Sequence, residues 1–123
     1  MGLDMYAYTM TRQPATAVDF AFGEDEPTEI FYWRKHPNLH GWMEDLYRAK
    51  GGTNPDFNLA PLALTKDDID RLEADVRANR LPFTDGCFFG QSFPEDCKDD
   101  LAFIAEARQA LAANLVVFYY AWW

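Results

Sequence analysis

The sequence predicts a small α+β domain in which a mostly antiparallel sheet of about four strands packs with three helices. Three observations carry this. Several short stretches are rich in aromatic and β-branched residues, three longer windows repeat apolar residues at helical spacing, and the two kinds alternate only partly along the chain. With 123 residues, the whole of 1–123 reads as a single compact domain.

Residues 3–10 read as an opening strand with Leu3, Met5 and Ala7 on one face. Residues 11–28 hold two prolines, a glycine and Glu24-Asp25-Glu26, so they form a loop, expected to be the most mobile part. Residues 29–35, with Ile30-Phe31-Tyr32-Trp33, are a second strand. Pro37 suits the first position of a helix, because its missing N–H would have no partner there. Leu39, Trp42, Met43, Leu46 and Tyr47 then make one continuous apolar stripe, and Gly51-Gly52 stops the helix. Residues 57–64 are apolar but interrupted by Pro61, which predicts an edge strand or extended segment. A second helix begins at Thr65, where Thr65 and Asp68 have capping-box spacing. Its stripe of Ile69, Leu72 and Val76 is narrow, as on a peripheral helix, and Leu81-Pro82 ends it. Residues 84–90 read as a short strand or a buried loop. A third helix is expected over about 94–113, with Leu101, Ile104, Ala105, Leu111 and Ala112 facing inward. The tail, 115–123, is nearly continuous apolar, as in a strand covered on both faces or central in its sheet.

Size and composition exclude several classes. Surface scaling gives roughly 20,000 Å² exposed when unfolded and roughly 7,000 Å² when folded, enough burial for a core without disulfides or metal. Half the chain is apolar and its 20 aromatic residues are spread throughout, which excludes intrinsic disorder. No stretch approaches a membrane span. A formal charge of −9 argues against direct nucleic-acid binding, which needs a basic face. Cys87 and Cys97 are too few for a zinc site; two reduced, buried thiols are preferred over a disulfide. The N-terminus lacks the charge and apolar stretch of a signal peptide, so a cytoplasmic location is expected.

Several segments carry a resemblance. Gly2-Leu3-Asp4-Met5-Tyr6, Phe31-Tyr32-Trp33-Arg34-Lys35-His36, Leu39-His40-Gly41-Trp42-Met43-Glu44, Leu81-Pro82, Phe88-Phe89-Gly90 and Tyr120-Ala121-Trp122-Trp123 resemble a group of small uncharacterised bacterial and phage proteins. The similarity covers nearly the whole chain and implies a phage or prophage association. Members of the group are often labelled phosphoglycerate kinase. That enzyme needs two large α/β domains, whereas this chain holds one small one and no glycine-rich phosphate loop, so the label is judged wrong. The resemblance brings no catalytic residues.

The densest polar cluster is Arg34, Lys35, His36 and His40, with Glu44 beyond it. His36, His40 and Glu44 fall at i, i+4 and i+8, a metal-like set if all three share one helical face. The residue before a proline avoids the helical region, however, which puts His36 at the N-cap and turns it away. No metal or other cofactor is therefore expected, and no partner for acid–base use of either histidine is visible. Arg34 and Lys35 precede a helix start and could bind an anion, although pairing of Arg34 with a carboxylate such as Asp4 is preferred. Arg108 falls inside the apolar stripe of the third helix and needs a carboxylate, with Asp4 the leading candidate for a structural ion pair. The acidic runs, including Asp67, Asp68, Asp99 and Asp100, read as solvated surface and helix first turns; a dense acidic face could also imitate nucleic-acid phosphates.

These observations lead to a non-enzymatic protein-interaction domain acting through an aromatic or acidic surface, for example as a host-modulating or anti-defence factor. Its partner is expected to be another protein, with a homodimer as one form. The alternative is a small enzyme or an anion- or metal-binding domain built on Arg34, Lys35, His36 and His40.

Overall fold

The computed structural model describes residues 2–86 and 88–123. Four strands, β1 (Asp4–Met10), β2 (Thr28–Arg34), β3 (Leu62–Leu64) and β4 (Val116–Trp122), form one sheet in the order β2-β1-β4-β3, with every pair antiparallel. Three α-helices, α1 (Pro37–Ala49), α2 (Lys66–Arg77) and α3 (Asp96–Ala112), complete the α+β domain. The apolar tail is a central strand, as its lack of alternation predicts: Val116 to Tyr119 and Ala121 are all buried.

Alternation along β1 sends Met5 and Ala7 into the main core and Tyr6 and Tyr8 to the opposite side of the sheet. On the core side α3 packs against β2 and β4, with Phe103 set edge-on to Trp33 at 4.9 Å between ring centroids. The stripe of α1 behaves as its spacing predicts, since Leu39, Trp42, Met43, Leu46 and Tyr47 are all buried and Gly51 takes a left-handed φ of 97° just past the helix. Gly41, inside α1, lies where a Cβ would sit 1.9 Å from Thr84 Oγ1, so only glycine lets the 81–86 segment approach the helix. Thr65 and Asp68 form the reciprocal capping box at the start of α2.

Other expectations are corrected. The 57–64 stretch is the expected edge strand, but β3 covers only its last three residues, with Pro61 just before it and one further bond from the Leu59 N–H to the Ala121 carbonyl. Helix α2 stops at Arg77, and Asn79 is already left-handed, before the predicted stop at Leu81-Pro82. Among the described residues of 84–90 there is neither a strand nor a buried loop: Phe88 is exposed and Phe89 alone is buried, while Cys87 lies outside the described residues. Cys97 is a half-buried free thiol. The buried stripe of α3 is Asp100, Phe103, Ile104, Ala107 and Ala110, so Ala105 and Ala112 face solvent and Arg108 borders the stripe. From that border Arg108 meets Asp70 and Glu73 of α2, each at 2.8 Å, and not Asp4. The physical reason is proximity: α3 lies beside α2, whereas Asp4 is on a strand and is held by Arg34 at 3.0 Å. Loop 11–27 is pinned, since the Arg12 guanidinium donates to both carboxylate oxygens of Asp25. Among the described residues no helix is long and apolar enough to cross a membrane.

Candidate functional site

The face of the sheet turned away from the helices is only half covered. Phe20 and Phe22, from the pinned loop, close over Phe118 at 5.4 and 4.8 Å between centroids and make a second small cluster with Met10 and Val116. Next to them, Tyr32, Tyr6 and Tyr120 stand in one row across β2, β1 and β4, with Tyr120 edge-on to Phe22 at 5.1 Å between centroids and Trp122 beside Asp4 in the next row. Tyr32 and Trp122 are 43% and 47% exposed, a large fraction for such rings in a small domain. Asp4 anchors this end, accepting hydrogen bonds from the Tyr32 hydroxyl at 2.5 Å and from Arg34 at 3.0 Å. That carboxylate raises the Tyr32 phenol above its ordinary pKa.

A second constellation lies at the start of α1. His36 occupies the N-cap, as the following proline requires, but its ring caps nothing. It turns toward α3 and the 90–95 segment instead. Nε2 lies 2.9 Å from Asp100 Oδ2 and Nδ1 lies 2.7 Å from Ser92 Oγ, with Asp96 Oδ2 at 3.6 Å from Nδ1. Ser92 Oγ also accepts the backbone N–H of Asn38 at 3.0 Å and so caps α1 from across the loop. His36 and Asp100 are 3% and 1% exposed, and Asp100 Oδ1 has no hydrogen-bond partner among the described residues. These groups line a cavity of about 190 Å³. A wider depression of about 560 Å³ lies between α1 and α2, but its polar groups serve each other: Trp42 Nε1–H and Arg80 both donate to Asp75.

The cluster expected from sequence is dispersed. Lys35 is exposed in a left-handed turn after β2, and Arg34 points along the outer sheet face. His40 enters an aromatic cage of Phe57, Phe89, Tyr119 and Trp123, with Nδ1 2.7 Å from the Tyr119 hydroxyl. Burial there lowers its pKa to about 4, so it is neutral at pH 7. Glu44 pairs with Arg48 one turn along α1. Among the described residues no group of three His, Cys, Asp or Glu side chains could hold a metal.

Sequence reasoning missed Ser92 and Asp100. Asp100 reads as a first-turn acid, yet it lies three and four residues before Phe103 and Ile104 and therefore on their buried face. Nothing in the sequence marks Ser92, because its partners come from another part of the chain. In comparisons with known proteins the chain matches no family model, no curated protein and no solved structure.

Proposed function

We propose that this chain is a protein-interaction domain, phage- or prophage-associated, that docks a protein partner on the open aromatic face of its sheet. The observation that carries the proposal is the pair of exposed rings, Tyr32 and Trp122, flanking the half-buried Tyr6 and Tyr120 on the outer sheet face. Tyrosine and tryptophan supply large contact areas with few rotatable bonds, and a strand backbone backed by a packed core holds them in place. The Asp4–Tyr32–Arg34 group at the edge offers a polar anchor beside the apolar rings. A net charge of −9 opposes the approach of a second copy and favours a basic partner. The phage association rests on the resemblance of the quoted segments alone.

The test pairs Tyr32→Ala and Trp122→Ala, alone and combined, with partner capture from host lysate at low and high salt. Sedimentation velocity of the purified chain runs alongside. The proposal expects a basic protein that is held by the wild type, weakened by salt and lost from the double variant. A captured protein retained by the double variant, or a homodimer that buries this face, overturns it.

A further inference from the structure

We infer that Ser92 is a nucleophile activated by His36, in a site that takes small neutral acyl esters or thioesters. The hydrogen bonds define the protonation pattern. A carboxylate only accepts, so with Asp100 Oδ2 at 2.9 Å the proton of neutral His36 sits on Nε2. Nδ1 is then an acceptor for the Ser92 hydroxyl at 2.7 Å, while Asp96 Oδ2 lies farther off at 3.6 Å. The Asn38 N–H, 3.0 Å from Ser92 Oγ, fixes the remaining orientation of that oxygen. A base beside a hydroxyl, itself oriented by a buried acid, is the arrangement that acyl transfer requires.

Capping alone does not account for it. Ser92 caps α1 with one hydrogen bond and needs neither a buried histidine nor a buried aspartate for that purpose. Asp100 is nonetheless 1% exposed with one oxygen unpartnered among the described residues, a burial that costs stability and that capping α1 does not require.

Substrate class follows from the surroundings. Ser92 is half-buried and lies where the cavity of about 190 Å³ adjoins a second of about 260 Å³. At ~30 Å³ per water-sized group the first holds an acyl chain of roughly six heavy atoms. Phe83 and Phe93, 83% and 57% exposed, offer apolar flanks, whereas Asp96 and Asp85 line the two hollows and repel phosphate or carboxylate. In the reaction Ser92 Oγ bonds to the carbonyl carbon while its proton passes to His36 Nδ1. The carbon–oxygen or carbon–sulfur bond to the leaving group then breaks, and that group departs with the proton from Nδ1. Water attacks the acyl-serine by the same route, releasing the acid and restoring Ser92. Asp100 is a positioning residue throughout.

The test uses the full chain with a fluorophosphonate probe and with p-nitrophenyl butyrate, read by intact mass, peptide mapping and release of p-nitrophenolate. The expected result is a single adduct on Ser92 and labelling at least 100-fold slower in His36→Gln. Nitrogen-15 spectra should place the imidazole proton of His36 on Nε2 in the wild type and on Nδ1 in Asp100→Asn, with slower labelling in that variant. A folded wild-type chain that forms no adduct, forms it elsewhere, or is labelled equally fast in His36→Gln overturns the inference. The wild-type result decides even if a variant fails to fold.

Discussion

His36 and His40 stand one turn apart at the start of α1, and their surroundings are opposites. His36 sits among oxygen atoms, from Ser92, Asp96 and Asp100, beside a cavity. His40 sits among four rings with one hydroxyl partner, and burial holds it neutral. The residue type is the same, and the difference lies in what other parts of the chain bring to each ring. A histidine packed in aromatics acts as a core residue whose protonation breaks the fold. A histidine hydrogen-bonded on both nitrogens beside a cavity is placed to exchange a proton with a neighbouring hydroxyl.

The contrast can be attacked from the cage side first. Phe57 is 1% exposed, stacks on His40 and packs at a tilt against Tyr47, so Phe57→Ala should cost about 3–5 kcal/mol in urea denaturation. Next comes acid. Because the folded-state pKa of His40 is about 4, below the ordinary 6.5, the unfolded chain binds this proton more readily. Its contribution to stability is therefore complete above pH 6.5 and is lost as the pH falls from 6.5 to about 4. The loss is on the order of 3 kcal/mol, and His40→Gln should flatten that part of the stability–pH curve. An unchanged curve in His40→Gln would contradict the cage assignment. Tyr119→Phe leaves His40 Nδ1 buried without its partner and should cost about 1–3 kcal/mol by thermal denaturation. On the other side, Ser92→Ala removes one cap from α1 and the hydroxyl beside His36 Nδ1; that nitrogen borders the cavity, where water replaces the lost hydroxyl, so the cost should be only about 1 kcal/mol. A larger loss at Ser92 than at Tyr119 would reverse the assignment of the cage as the structural member of the pair.

Local periodicity was enough to find most elements. The stripe of α1, the capping box of α2 and the unalternating tail each depend on residues within a few positions of one another, and each is observed. The reading failed where a feature depends on distant partners. Arg108 needs a carboxylate, and that much is local, but Asp70 and Glu73 are chosen by how α3 lies against α2. The rotation of α3 by about one position likewise comes from packing: Phe103, the one aromatic residue of that helix, packs on Trp33, and Ala105 faces outward as a result.

For the candidate sites the division is sharper. The proline after His36 already turns that ring off the helical face, which argues from the sequence against the i, i+4, i+8 ligand set. The oxygens it would meet lie 56 and 64 residues away, at Ser92 and Asp100. Hydrophobic patterning and proline and glycine chemistry act over a single turn or strand, so the amino-acid order by itself determined the α+β class, the central tail strand and the placing of His36 at the helix start. Which rings stay uncovered on the outer sheet face, and which acid is buried beside His36, were decided only by the tertiary structure, because both depend on how far one loop reaches and on how one helix is rotated.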